Sequence, residues 1–183
     1  MLQLYIERVI LMNIKTVVVG PLETNCYILE INKEVIIIDP GYDYDKIIKE
    51  VGNAKIVAIL ITHYHEDHIG ALPEFIKRKI KVYSYNNIEE KTYQISNFTF
   101  EVIYTKGHTN SSVSYYFPKE NILFSGDFIF YESIGRWDLD TGDFSMLIAS
   151  ITKIKNRFTD LVIYPGHGRK TTLSHERQNN PYF

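Results

Sequence analysis

At 183 residues the chain is long enough to bury one hydrophobic core and too short for a second large domain. Its 20 basic and 22 acidic side chains leave a formal net charge of −2, which excludes a general nucleic-acid-binding surface and a polybasic membrane patch and makes small molecules the expected partners. The single cysteine, Cys26, excludes a disulfide within the chain and is expected to be a small buried hydrophobe.

The first eleven residues are apolar, but their sequence argues against a secretion signal. Glu7 and Arg8 interrupt the apolar run, and no small-residue cleavage site follows it. We therefore expect a cytoplasmic protein without membrane partners. Residues 1–11 are interpreted as an N-terminal extension or an extra edge strand, and residues 12–183 as one domain.

The first part of this domain is predicted to consist of strands joined by short turns. Runs of β-branched and apolar residues predict strands over residues 14–19, 25–31 and 35–38, and the short connection between the last two indicates a hairpin. Apolar residues at helical spacing then predict a helix over residues 44–51. Asp39 follows the third strand, where its carboxylate either orients a metal-binding histidine or caps the turn.

The most informative stretch follows the next strand, which is predicted over residues 56–61 and is apolar enough to be buried on both faces. Directly after it comes Thr62-His63-Tyr64-His65-Glu66-Asp67-His68, in which three imidazoles and the Asp67 carboxylate lie within the six residues from His63 to His68. His63 and His65 are two residues apart in a near-extended segment, so their side chains should point to the same side. Because imidazole and carboxylate donors select transition metals, the cluster predicts a metal site at the end of this strand.

A helix is predicted to begin at Ile69, directly after Asp67 and His68. Pro73 is expected in its first turn, and its apolar stripe is expected to pack into the core. The stripe consists of Ile69, Leu72, Phe75 and Ile76.

Three later strands also end beside a residue that can bind a metal. The strands predicted over residues 98–104, 121–124 and 161–164 are followed by His108, Asp127 and His167, respectively. A loop over residues 128–142 precedes a helix that Asp143 can cap. This strand-rich order, punctuated by helices, fits two packed sheets flanked by helices, with the ligand-type residues at strand ends.

Four short motifs resemble those of the metallo-β-lactamase fold hydrolase superfamily: Thr62 to His68, Gly107-His108-Thr109, Ser125-Gly126-Asp127 and Gly166-His167-Gly168. This resemblance covers residues 12–183. Within it, a further set of short motifs is similar to the short glyoxalase II-like, or hydroxyacylglutathione hydrolase-like, branch: Ser133-Ile134-Gly135-Arg136, Asp138-Leu139, Thr171-Thr172-Leu173, Glu176-Arg177 and Asn180-Pro181. The resemblance implies an α+β fold, a four-layer αβ/βα sandwich with the metals at one edge.

The resemblance also implies a binuclear centre that holds two divalent metal ions. His63, His65 and His108 would hold the first metal, Asp67, His68 and His167 the second, and Asp127 would bridge them. Zinc is the expected metal, with iron and manganese as alternatives, because a donor set of imidazoles and carboxylates without thiolate suits all three.

A centre of this kind predicts a hydrolase. Two metals about 3.5–4 Å apart lower the pKa of a shared water toward about 7, which makes a metal-bridging hydroxide available as the nucleophile at neutral pH. Asp67 would accept a hydrogen bond from this hydroxide and orient it. By the resemblance, the expected substrate is a small acyl thioester of the S-lactoylglutathione type, and a lactone or ester is an alternative on the same site.

Two further alternatives use the same residues. His63, His108 and Asp127 form the two-histidine, one-carboxylate set that holds mononuclear iron, and the persulfide dioxygenase branch resembles glyoxalase II in this way. A non-catalytic metal-binding protein is the other alternative, and the complete ligand set argues against it.

Substrate contacts are less clearly indicated. Arg169 and Lys170 directly follow the last ligand motif and are candidates for binding an anionic thioester, although a solvated surface pair is the alternative. Long-form glyoxalase II enzymes add a C-terminal helical domain that helps to hold glutathione, and this sequence stops at Phe183. Poor affinity for the glutathione moiety is therefore expected.

Overall fold

The computed structural model describes residues 11–183. The extension or edge strand expected at residues 1–11 therefore lies, apart from Leu11, outside the described residues and stays a prediction. In the described part of the chain, no helix is both long enough and apolar enough to cross a membrane.

Five strands and three helices form the first half of the fold: β1 Asn13–Val19, β2 Thr24–Ile31, β3 Glu34–Ile38, α1 Tyr44–Val51, β4 Lys55–Leu60, α2 Glu66–Ile69, α3 Leu72–Lys77 and β5 Val82–Tyr83. The strands make one mixed sheet in the order β1-β2-β3-β4-β5, in which β1 to β3 are antiparallel and β3 to β5 parallel. The four strands and the first helix that the sequence predicts here are confirmed within one residue at each end.

The second half contains β6 Thr92–Ile95, β7 Phe98–Tyr104, β8 Val113–Phe117, β9 Ile122–Gly126, β10 Ile129–Phe130, β11 Ser133–Ile134, α4 Phe144–Arg157, β12 Val162–Pro165, β13 Thr171–Thr172 and α5 Leu173–Asn179. Six of these strands form a sheet in the order β13-β12-β9-β8-β7-β6, and β10 with β11 forms a small hairpin inside the segment that was expected to be a loop. The Asp143 carboxylate accepts a hydrogen bond from the Met146 amide, which confirms the predicted cap of α4.

The helical region after the metal motif differs from the prediction. Helix α2 begins at Glu66, three residues early, and a separate helix α3 follows with Pro73 in its first turn. The chain breaks between them because the Ala71 amide donates to the carbonyl oxygens of Pro40 and Gly41 instead of to the preceding turn. The expected core stripe is consequently incomplete, since Ile76 is 54% exposed.

Three apolar clusters divide the fold into four layers. One lies between the two sheets and includes Leu29 and Ile38 from the first sheet and Phe100 and Phe124 from the second. A second cluster joins the first sheet to α1 and α3, and a third joins the second sheet to α4 and α5. The four-layer αβ/βα sandwich expected from the sequence is therefore confirmed.

We expect Phe124→Ala to lower the free energy of unfolding by about 3–5 kcal/mol, because truncating a buried aromatic leaves a cavity. The ring is fully buried and contacts Tyr27, Phe117 and Tyr164 at centroid distances of 5.0, 5.6 and 5.2 Å. Urea denaturation followed by circular dichroism measures the loss. Met146→Ala, at a side chain that is 48% exposed, is the control, and an equal loss in both variants would contradict the assigned core.

The loops that carry the predicted metal ligands lie at one edge of the sandwich because the strands before them end on the same side. Strands β7 and β9 are both antiparallel to β8, and β12 is parallel to β9, so these three strands end on the same side of the second sheet. The parallel strands β3 and β4 likewise end together in the first sheet. Loops that follow these five strands can therefore meet above the sandwich.

Candidate metal centre

All seven sequence-predicted ligand residues come together at this edge of the sandwich. They form three overlapping groups, in each of which the potential ligand atoms lie within 4.8 Å of one another. The groups are His63, His65 and His108; His63, His68 and Asp127; and Asp67, His68 and His167.

The local backbone explains how one short motif supplies four of these side chains. His65 has φ −66° and ψ 144° and is the N-cap of α2, so the chain is still extended at His65. His63 and His65 consequently face the same side, as the sequence predicted. Asp67 and His68 lie in the first turns of α2, which directs them to the neighbouring position.

Three imidazole nitrogens converge in the first group. His65 Nδ1 lies 3.1 Å from His63 Nε2 and 2.9 Å from His108 Nε2. Ligand atoms around a tetrahedral zinc with bonds of about 2.0–2.1 Å are about 3.3 Å apart, so the three nitrogens have nearly the spacing that one metal requires.

The group of Asp67, His68 and His167 contains a carboxylate between two imidazoles. Asp67 Oδ2 lies 3.1 Å from His167 Nε2 and 3.4 Å from His68 Nε2. Asp127 lies between the two groups, since its Oδ1 is 3.2 Å from His68 Nε2 and its Oδ2 is 3.6 Å from His108 Nε2 and 3.5 Å from His167 Nε2. This carboxylate is therefore within reach of both positions.

Two buried atoms indicate that these residues fit a bound cation. His68 Nε2 and Asp127 Oδ1 lie 3.2 Å apart but are hydrogen-bonded neither to each other nor to another group in the part of the chain that the structure describes. Buried polar atoms are ordinarily satisfied, and a divalent metal between them would satisfy both. Gly166 leaves room for this arrangement, because a Cβ there would lie 2.1 Å from Asp127 Oδ1 and 2.7 Å from His68 Cε1.

In four of the five candidate ligand histidines, a hydrogen bond to Nδ1 fixes Nε2 as the nitrogen that faces the predicted metal positions. His108 Nδ1 is 2.7 Å from the Arg136 carbonyl oxygen, and His167 Nδ1 is 2.9 Å from the Leu22 carbonyl oxygen. A carbonyl only accepts, so each Nδ1 carries the proton and the Nε2 of the neutral ring keeps its lone pair for a ligand.

Asp39 fixes the other two Nε2-directed rings. Its Oδ2 accepts from His68 Nδ1 at 2.9 Å and from Thr62 Oγ1 at 2.6 Å, and its Oδ1 accepts from the Thr62 amide at 2.8 Å. Because the Thr62 hydroxyl donates to Asp39, it accepts from His63 Nδ1, which is 3.1 Å away. The structure thus brings Asp39 to the ligand histidines. Sequence reasoning missed Thr62, although it is the first residue of the metal motif.

The site divides into a neutral half and a charged half. Burial, followed by the charge of His68, holds the pKa of His63 well below its usual value, and burial and the nearby His108 lower the pKa of His65. These imidazoles therefore present free lone pairs near neutral pH, as metal binding requires.

Carboxylates dominate the other half. Burial disfavours the imidazolium of His68, but Asp127 and Asp39 raise its pKa well above the usual value. Burial likewise opposes charge on His167, whose hydrogen bonds to Asp127 and Asp67 nevertheless raise its pKa to about 10. Despite burial, the hydrogen bond from His167 and the charge of His68 hold the pKa values of Asp67 and Asp127 below their usual range. A metal at this position would replace the protons on the two rings.

An open cleft of about 390 Å³ gives access to the cluster. Its walls include the apolar side chains of Leu22, Phe130 and Leu139, together with Arg136. The Arg136 guanidinium donates to both carboxylate oxygens of Asp138 at 2.9 and 3.0 Å, so its charge is already paired. The cleft therefore combines a polar floor with mostly apolar walls.

The two predicted substrate-binding residues do not line this cleft. The Arg169 guanidinium lies 3.4 Å from the centroid of the Tyr131 ring, and Lys170 Nζ lies 5.6 Å from the centroid of the Tyr164 ring. Their role in substrate binding stays a prediction.

Cys26 is fully buried, as the sequence predicted.

Comparison with known proteins agrees with this geometry. A family model described as the metallo-beta-lactamase superfamily matches residues 19–94 and 86–167. The hydroxyacylglutathione hydrolase GloC of Haemophilus influenzae is 29% identical, with 93% of this chain and 98% of that protein aligned. A probable metallo-hydrolase of Streptococcus pyogenes is 32% identical, with 87% of this chain and 85% of that protein aligned.

Solved structures with the same fold include three over which most of the chain aligns. BLEG-1 B3 metallo-beta-lactamase has a TM-score of 0.87 and 36% identity, over 93% of this chain and 99% of that chain. TTHA1623 in a di-iron-bound form has a TM-score of 0.84 and 29% identity, over 92% and 100%. ETHE1 from Myxococcus xanthus has a TM-score of 0.81 and 26% identity, over 93% and 84%.

Proposed function

The chain belongs to the metallo-beta-lactamase superfamily, and we propose that it is a metal-dependent hydrolase that cleaves a small acyl thioester. The observation that carries the proposal is the position of Asp127 between the three-histidine group and the Asp67 group, with ligand distances of 3.2–3.6 Å. One shared carboxylate between two complete donor groups is the arrangement that a binuclear hydrolase needs.

In this proposal every predicted ligand keeps its role. His63, His65 and His108 would hold the first divalent metal, Asp67, His68 and His167 would hold the second, and Asp127 would be shared by both. When bound, the two metals would supply hydroxide at neutral pH and polarise the carbonyl group of the substrate. The family implies divalent metals, and we propose zinc, with iron or manganese as alternatives.

The residues of the chain contribute orientation and binding. Asp39 holds the proton of His68 at Nδ1 and, through Thr62, the proton of His63 at Nδ1, so both rings present Nε2 to the centre. Asp67, beyond its role as ligand, has a carboxylate that can accept a hydrogen bond from the attacking hydroxide and orient it. The apolar walls at Leu22 and Leu139 would contact the acyl group of the substrate and exclude water from it.

A small thioester is the favoured substrate because of the relative and the cleft. The hydroxyacylglutathione hydrolase GloC aligns over nearly the whole of both chains. A cleft of about 390 Å³ with apolar walls suits a small acyl group. The cation that lines it, Arg136, is paired with Asp138, which supports weak rather than strong recognition of an anionic glutathione moiety.

The second candidate is a persulfide dioxygenase with one iron bound by His63, His108 and Asp127. The observation that favours it is the likeness to the ETHE1 structure from Myxococcus xanthus. His108 Nε2 lies 3.6 Å from Asp127 Oδ2, so the geometry is compatible with both candidates. The two differ in what they require of Asp67, which only the hydrolase uses as a ligand.

The proposal is tested by assaying metal-replete protein on S-lactoylglutathione, a simpler 2-hydroxyacyl thioester, a lactone and glutathione persulfide. We expect thiol release from at least one thioester, loss of that activity on chelation and its return when metal is restored, because the nucleophile depends on the metals. We also expect a simple thioester to be cleaved with a Michaelis constant no higher than that for S-lactoylglutathione. Oxygen consumption with the persulfide, without thiol release from any thioester, would overturn the hydrolase in favour of the dioxygenase.

A further inference from the structure

A short segment outside the metal motifs is hydrogen-bonded to two of the proposed ligands, Asp67 and His167. This clamp segment is Leu22–Tyr27, which comprises the end of the β1–β2 turn and the first residues of β2. It belongs to the first sheet, whereas His167 follows β12 of the second sheet. Its hydrogen bonds therefore connect the two halves of the fold at the site.

The loop that carries His167 is held by Asn25 along its length. The Asn25 side-chain nitrogen donates to the carbonyl oxygens of Pro165 at 3.0 Å and Gly168 at 2.8 Å, and the Asn25 amide donates to the Gly166 carbonyl at 2.7 Å. These three bonds fix the backbone on both sides of His167. Asn25 is 3% exposed, so its bonds are shielded from competition with water.

The clamp segment also contacts both ligands directly. The Leu22 carbonyl oxygen accepts from His167 Nδ1 at 2.9 Å, and Thr24 Oγ1 donates to Asp67 Oδ2 at 2.8 Å. That carboxylate oxygen is the one that lies 3.1 Å from His167 Nε2. Thr24 is fully buried, so its hydroxyl has no alternative partner in bulk solvent.

The contacts are confined to one side of the site. Across residues 11–183, no hydrogen bond joins the clamp segment to His63, His65 or His108. His108 Nδ1 donates to the Arg136 carbonyl oxygen, and His63 Nδ1 donates to the Thr62 hydroxyl. The first metal position is therefore built without the clamp segment, and the second depends on it.

We propose that the clamp segment is a positioning element for the second metal position, with Thr24 setting the Asp67 carboxylate and Asn25 setting the His167 loop. The inference rests on the binuclear centre of the proposed function but not on its substrate. Hydrogen-bonded partners behind a ligand fix its orientation, and their loss typically weakens metal binding about 10–100-fold. Thr24 and Asn25 should act on the second metal alone.

The test is a titration of zinc into metal-free full-length chain, with a competing chelator that resolves the two binding equivalents. For Thr24→Val and Asn25→Ala, we expect the second equivalent to bind about 10–100-fold more weakly while the first binds as in the wild type. Thr24→Ser, which keeps the hydroxyl, should bind the second zinc equivalent as tightly as the wild type. Circular dichroism of each metal-free variant checks that the fold is retained.

Thr171→Val is the matched control. Its hydroxyl is also buried and donates to a carboxylate, Glu176 Oε1 at 2.5 Å, but that carboxylate is not a proposed ligand. Thr171→Val should bind both zinc equivalents as tightly as the wild type. If Asn25→Ala fails to fold, Thr24→Val and its serine counterpart decide the question.

Either of two results would overturn the inference: unchanged binding of both equivalents in Thr24→Val, or equal weakening of both. A wild-type chain that binds a single metal would overturn the binuclear centre together with the clamp. A wrong substrate assignment would give a different result. The chain would then still bind two zinc equivalents in two resolved steps but would release no thiol from thioesters.

Discussion

Replacing Asp127 with alanine is expected to remove nearly all hydrolase activity and to lower the metal content at both positions. Asp127 is the carboxylate that reaches His68 and His167 on one side and His108 on the other, at 3.2, 3.5 and 3.6 Å. Residues that act as one catalytic unit give large effects when any one is removed, and we expect a fall in kcat/KM of roughly 10³-fold or more. Elemental analysis and a thioester assay on the same preparation measure both effects.

Asp138→Ala is the control for the loss of a carboxylate near the cleft. Asp138 is exposed and accepts hydrogen bonds from Arg136, and it does not contact the proposed ligands. Its variant should keep two metals and most of its activity. Retention of both metals and of substantial activity by Asp127→Ala would show that the shared carboxylate is not essential.

Asp67→Ala separates the two candidate mechanisms. In the binuclear hydrolase Asp67 is a ligand of the second metal, so its loss should leave about one metal per chain, held by His63, His65 and His108, and almost no thioesterase activity. In the mononuclear iron alternative Asp67 lies outside the ligand set, and its loss should cost only about 10–100-fold. Metal content and activity of the wild type and the variant together distinguish the two.

Glu66→Ala supplies the matched control, because Glu66 is the exposed neighbour of Asp67 on the same helix turn. We expect two metals and nearly unchanged activity in this variant. The hydrolase mechanism must be abandoned if wild type binds one iron and Asp67→Ala retains both that iron and most of its activity. The dioxygenase would then be the remaining candidate.

Long elements were predictable because their burial is periodic. The alternating or continuous apolar runs of β1 to β4 and β7 and the apolar face of α4 can be recognised without knowledge of any partner. The two-residue strands β5, β10 and β11 could not be predicted, since such short segments show no period and exist only because a neighbouring strand pairs with them. The break between α2 and α3 was missed for a related reason, because it depends on the Ala71 amide bonding to a loop that is distant in the sequence.

The ligand candidates followed from the sequence because each is a histidine or an aspartate in the segment that follows a predicted strand. Their meeting at one edge follows from the rule that parallel strands open on the same side, whereas their assignment to two metals came from the resemblance to a known family. The partners that orient them carry no such signal. Thr24 and Asp67 are 43 residues apart and Leu22 and His167 are 145 apart, and nothing in the chain between them indicates contact.

The sequence by itself thus determined the sandwich and the chemical type of the site, because strand periodicity and the clustering of imidazoles are local properties of the chain. The tertiary structure alone decided which nitrogen of each ring that is hydrogen-bonded from behind faces the centre, and which side chains hydrogen-bond to the predicted ligands of the second metal position. Those features depend on hydrogen bonds such as His68 to Asp39, within the first half of the fold, and Asn25 to Gly168, between the two halves, which form only when segments distant in the sequence come together. Directional bonds between distant segments require the folded backbone to fix distance and angle, and the order of residues does not encode either one locally.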